Sequence, residues 1–144
     1  MTKRQLDANP PTGDGRAVIG TWRLVEVHGP AEMHARRGPN PDGMIFYDAN
    51  GYMGVQIAPD RERGDFKSGI PTPEQAVAAM IGYGAYFGTY SVDPDAGIIT
   101  HHRIGNLKPG LIGSFDRRYE MRSPDELVLR PVESENALVW RRLT

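Results

Sequence analysis

The residues best suited to moving a proton or holding an oxyanion fall in a few short runs. Glu26 and His28 stand two apart in Trp22-Arg23-Leu24-Val25-Glu26-Val27-His28. On a strand, side chains two apart share a face and lie ~7 Å from one another. A carboxylate and an imidazole so placed make an acid/base pair, or, near a strand end, a solvated pair that ion-pairs with an arginine. In the run 114–122, Phe115, Arg117, Tyr119 and Met121 share one face, and Ser114, Asp116, Arg118 and Glu120 the other. The more apolar face belongs inside and carries Arg117 with it. A buried guanidinium needs a partner. That partner is Glu26, a ligand carbonyl, enolate or carboxylate, or a loop that Arg117 ties down. His101 and His102 are adjacent and point to opposite faces, so they cannot clamp one metal ion. Ile98 and Ile104 share the parity of His102, which favours His102 as the inward one. Tyr47, Tyr52, Tyr83, Tyr86 and Tyr90 offer a wall with hydroxyls, or plain packing. The chain has no cysteine, which excludes thiolate metal sites, disulfides and a cysteine nucleophile. No metal site and no cofactor is expected. Gly82-Tyr83-Gly84-Ala85-Tyr86-Phe87-Gly88 follows a helix rather than a strand, and no lysine follows it, so it is not a nucleotide loop.

Short strands must position these groups. Gly (17) and Pro (12) punctuate 144 residues, and the runs between them are rich in β-branched and aromatic residues, the pattern of a sandwich or barrel. Strands are expected over about 19–28, 43–47, 52–58, 83–92, 98–104, 114–122, 126–130 and 137–143. Asp48-Ala49-Asn50-Gly51 is a hairpin turn, because Asn-Gly tolerates positive φ. Residues 29–42 and 59–71 read as loops. One short helix follows Thr72-Pro73-Glu74-Gln75, which supplies a capping hydroxyl, a first-turn proline and a Gln three residues after the cap; Gly82 stops it. The fold class is therefore all-β, an eight-stranded antiparallel up-and-down barrel with this helix between the third and fourth strands. Eight strands can close around one small ligand. Residues 1–16 read as a flexible tail and 17–144 as the barrel domain.

Lys+Arg (17) nearly balances Asp+Glu (18), so no broad basic face exists to track phosphates, and nucleic acid is not an expected partner. No run approaches a membrane span and no secretory leader opens the chain. A cytoplasmic monomer or homodimer is expected.

Gly20-Thr21-Trp22 resembles the Gly-x-Trp signature of lipocalins, with Arg141 and Arg142 matching the basic residue that packs over the tryptophan at the closed end. Gly51–Ile57, Ala85–Asp93, Thr100-His101-His102 and Leu138–Arg142 extend the likeness over most of residues 18–143. The chain resembles the bacterial and fungal lipocalin-like domain family. The resemblance implies that Trp22 points inward, taking Leu24, Glu26 and His28 with it.

Two functions fit such a barrel. One is a carrier or sensor of a small, mainly hydrophobic metabolite, held by Trp22, Leu24, Tyr47, Gln56, Tyr86, Phe87, Phe115, Tyr119 and Trp140. The other, by analogy with the wider lipocalin-like group, is a cofactor-free isomerase, cyclase or hydratase of secondary metabolism acting on a polyketide- or terpenoid-like substrate. There Glu26 or His102 would move the proton, and Arg117 or Tyr90 would stabilise the oxyanion.

Overall fold

The computed structural model describes residue 3 and residues 5–144. Eight strands run β1 (Gly20–His28), β2 (Asp42–Tyr47), β3 (Tyr52–Ala58), β4 (Gly84–Asp93), β5 (Ile98–Asn106), β6 (Gly113–Ser123), β7 (Glu126–Pro131) and β8 (Ala137–Arg142). Each pairs antiparallel with the next, and β8 returns to β1, closing the barrel. Closure leaves no free sheet edge. The hairpin turn after β2 forms as expected: Asp48 Oδ1 accepts from the amides of Asn50 and Tyr52, and Gly51 takes φ 98°.

Two helices flank the strands. The helix α2 (Pro73–Met80) carries the full capping box: Gln75 N donates to Thr72 Oγ1 and Thr72 N donates to Gln75 Oε1. The helix α1 (Ala31–Arg37) lies in the segment expected as a loop. It has no side-chain cap and no buried residue, so little in its sequence announces it. Tertiary contact holds its end: Asp60 N donates to Arg37 O at 2.6 Å, and Gly38 (φ 80°) and Gly82 (φ 81°) lie so close to Asp60 O and Arg36 O that a Cβ would collide. Among the described residues no helix is long and apolar enough to cross a membrane.

The expected tail needs correction. Met1, Thr2 and Arg4 lie outside the described residues. Gly13–Val18, however, form a 3-10 helix with Gly15 and Val18 buried, and Pro11 is buried too. This segment plugs one end of the barrel. Trp22 Nε1 donates to Val18 O at 3.0 Å. Arg142 lies over the Trp22 ring, its guanidinium carbon 4.2 Å from the centroid, and donates to the carbonyls of Ala17, Ile19 and Pro124. Arg141 faces outward to Glu126. Above this plug the closed half of the barrel is filled by Trp22, Trp140, Leu127, Ile99, Tyr90 and Met53, all essentially inaccessible. Each such side chain stabilises the fold by roughly 1.5–3 kcal/mol.

Candidate functional site

At the other end of the barrel, polar groups replace the apolar filling. The register decides which ones. Tyr90 pairs with His101, and His101 with Phe115, so Ile99, His101 and Arg103 take the inward positions of β5. His101 is 1% exposed. This corrects the choice of His102, whose ring lies outside between two serines, Ser91 Oγ at 3.1 Å and Ser114 Oγ at 2.6 Å. The parity of Ile104 misled because a bulge intervenes: Phe87 pairs with Gly105 but Gly88 with Arg103.

A second bulge displaces Glu26. Leu24 pairs with Trp140 and Glu26 with Val139, with Val25 as the extra residue. Beyond it Val27 packs on the core. Glu26 and His28 both face solvent and contact one another at 2.8 Å. The interior acid/base pair is thus corrected to an exposed hydrogen-bonded contact, and Glu26 is not the partner of Arg117.

Four groups from the sequence reading do meet here, at the mouth: Tyr47, Tyr86, Phe115 and Arg117. They converge on His101, which the sequence reading weighed and placed behind His102. Tyr47 Oη lies 2.6 Å from His101 Nε2, and Tyr86 Oη 2.7 Å from His101 Nδ1. Phe115 stands edge-on to His101, centroids 5.5 Å apart. Arg103 and Arg117 both bring guanidinium carbons to the Phe115 ring, at 4.3 and 4.5 Å, an attraction to the ring's negative face. Tyr86, Arg103, Phe115 and Arg117 are each partly exposed, so solvent reaches this half of the barrel. Arg37 comes down from the end of α1: a Cβ on Gly84, which pairs with Ile57 at an inward position, would lie 4.0 Å from Arg37 Nη2.

Burial and the cations Arg117 and Arg103 together push His101 down to about pKa 3. It is neutral near pH 7, with one N–H and one bare nitrogen. Tyr47 is buried and its phenol is pushed far up, chiefly by desolvation, so its proton stays in place. Among the described residues the acceptor for that proton is His101 Nε2. Nδ1–H then donates to Tyr86 Oη, and the Tyr86 proton remains free for a ligand oxygen. Burial raises the Tyr86 pKa, while Arg117, by charge and hydrogen bond, and Arg103 pull it back.

The other site residues lie elsewhere. Tyr90 Oη donates to Asp48 O at 2.6 Å and its ring is in the core; the oxyanion role expected of it is corrected to a structural one. Trp22, Leu24 and Trp140 belong to the filled core, which corrects the hollow expected beside Trp22. Tyr119 lies near the plugged end, around Gly97 and Met121. Gln56 and Phe87 face outward, and Gln56 Oε1 accepts from Tyr83. They line a groove of about 1050 Å³ on the outside of β2, β3 and β4, with Met44, Phe46 and Leu107. The walls of this groove are mainly apolar, and of the His101 cluster only Tyr86 borders it. Among the described residues no group of His, Asp or Glu could hold a metal ion.

A family model described as a lipocalin-like domain matches residues 19–143. The chain belongs to that family. The matched span begins one residue before β1 and ends one after β8, so this lipocalin-like barrel is the domain itself. Among curated proteins and among solved structures, nothing matches the chain. The lipocalin-like fold fits the binding of a small hydrophobic molecule.

Sequence reasoning placed His101 behind His102 and missed Arg103 and Arg37. For His101 and Arg103 the available signal was Ile99, which shares their parity and is fully buried. For Arg37 there was none, because the docking of α1 rests on backbone contacts to Asp60 and Gly82.

Proposed function

We propose that this lipocalin-like barrel is a carrier or sensor that holds a small, mainly hydrophobic molecule in its mouth half. The carrying observation is the Tyr47–His101–Tyr86 chain. A buried, saturated relay ends on a hydroxyl whose proton has no protein acceptor, in a part of the barrel that solvent reaches. A donor in a part of the barrel that solvent reaches, beside the Phe115 ring, fixes the orientation of a guest. Native mass spectrometry of the intact protein, gently purified, tests this: a small-molecule adduct is expected, and Tyr86→Phe reduces its occupancy. A bare wild-type spectrum, together with no uptake from a panel of apolar carbonyl compounds, refutes it.

The same hydroxyl supports a second reading, a cofactor-free isomerase or cyclase in which Tyr86 and Arg117 stabilise a developing oxyanion. The chemistry limits it. A histidine held near pKa 3 accepts protons poorly at neutral pH, and Glu26 is outside, so the mouth has a strong electrophilic wall and a weak base. That asymmetry favours binding. Under the enzyme reading, Tyr86→Phe retains binding and loses turnover. A cytoplasmic location and a monomeric or homodimeric state complete the proposal, supported by the charge-balanced, cysteine-free sequence alone.

A further inference from the structure

Six arginines of the strands are ion-paired. Arg23 meets Asp42, Arg118 meets Glu135, Arg122 and Arg141 meet Glu126, Arg130 meets Glu120, and Arg142 meets Asp125. Arg36, Arg61 and Arg63 donate instead to backbone carbonyls. Arg37, Arg103 and Arg117 have no carboxylate within 4.0 Å among the described residues, and they converge on one end of the barrel. All three are at the mouth, delivered by separate elements: α1, β5 and β6.

Their environment makes this costly. Burial and the neighbouring charges of Arg36 and Arg117 bear unfavourably on the Arg37 cation. Its Nη1 is buried with no hydrogen-bond partner. A buried donor left unmade costs far more than a solvated one. Arg103 uses Nε on Gly113 O, and it shares the Phe115 ring with Arg117, so two like charges are held beside one another. Next to them the Tyr86 proton awaits an acceptor.

We infer that the mouth is a site for an organic acid, with Arg37, Arg103, Arg117 and the Tyr86 hydroxyl receiving its carboxylate and an apolar body lying along Phe115. This deepens the binding reading and rests on it. A carboxylate offers two oxygens and about four lone-pair directions, which answers several guanidinium forks and a phenol at once. The partly buried Val27, Tyr86 and Leu138 around the same half of the core supply an apolar wall for the body. The backbone of Arg37 is fixed beside the site because its own carbonyl is tied to Asp60.

Calorimetric titration of the full chain tests the assignment. The probes are 2-naphthoate and decanoate, each against its neutral amide. Wild type should bind the acids at least about tenfold more tightly than the amides, the loss expected when charge-assisted hydrogen bonds are removed. Arg117→Met and Arg37→Met should each abolish that preference, whereas Arg23→Met, on the outer groove, should leave it intact. Should a variant fold poorly, wild type alone still decides: raising salt from about 50 to about 500 mM should weaken the acids and spare the amides. Equal binding of acid and amide overturns the anion site and leaves the small-molecule reading standing. An acid preference that survives both mouth variants places the acid elsewhere and also overturns it. Displacement of the acids by inorganic phosphate at comparable concentration assigns the site to free oxyanions instead. No binding of either series overturns both inferences.

Discussion

In the unfolded chain His101 takes up a proton near pH 6.5, whereas in the folded barrel it does so only near pH 3. Between those values the unfolded state binds the extra proton, so acid favours unfolding. The stability held by neutral His101 is complete above about pH 6.5 and drains as pH falls toward 3. At about pH 5 the unfolded side has gained about 1.5 pH units of protonation, which is about 2 kcal/mol at 1.36 kcal/mol per unit. This figure hardly depends on the folded pKa so long as it stays well below 5. Against a total stability of about 5–15 kcal/mol it is a readable share. Urea denaturation at about pH 7.5 and pH 5 measures it, with His101→Gln as the reference. Other groups titrate equally in both proteins, so the difference between their pH slopes isolates His101. Wild type should lose about 2 kcal/mol more than the variant over this interval, or about 1 M in midpoint at a slope of about 2 kcal/mol per molar. Parallel losses in the two proteins would refute the neutral, desolvated histidine and the proton accounting built on it. A wild-type slope steeper by well over 2 kcal/mol would mean that a further group is coupled to it.

The remaining predictions concern the frame around the site. Arg142→Ala removes three hydrogen bonds to backbone carbonyls and the cover over Trp22; a loss of about 2–3 kcal/mol is expected in chemical denaturation, and a loss below 0.5 kcal/mol would show that the plug holds without it. Gly88→Ala places a Cβ 1.9 Å from His102 O, so a sharp fall in melting temperature or insoluble expression is expected; an unchanged melting curve would mean that the β4–β5 bulge yields easily. Glu26→Gln alters only the exposed pair with His28 and should leave probe binding intact and stability within about 0.5 kcal/mol; lost binding would return Glu26 to the site. Thr72→Ala breaks the capping box of α2 and should cost about 1 kcal/mol, seen first as faster amide exchange in α2; unchanged exchange would assign the stability of α2 to its packing alone.

The barrel itself was legible in the sequence. Strand runs between glycine and proline breaks, the Asn50-Gly51 turn and the Thr72–Gln75 cap are local signals, set by backbone sterics and side-chain hydrogen bonds within a few residues. Gly20-Thr21-Trp22 with Arg141 and Arg142 marked the closed end only through the resemblance to lipocalins, and the structure assigns the cover over Trp22 to Arg142. Tyr86, Phe115 and Arg117 were recovered because their runs alternate without interruption. What only the tertiary structure decided is which groups meet. A bulge adds one residue without a distinctive sequence, yet every side chain beyond it changes face. The bulge at Val25 put Glu26 outside, and the one opposite Phe87 and Gly88 made Ile104 a false guide and hid His101. Arg37 reached the mouth through backbone contacts of α1 to residues more than twenty positions away, a placement no local pattern encodes. Local physics fixed the staves of the barrel; register and docking, which depend on distant partners, fixed what its mouth contains.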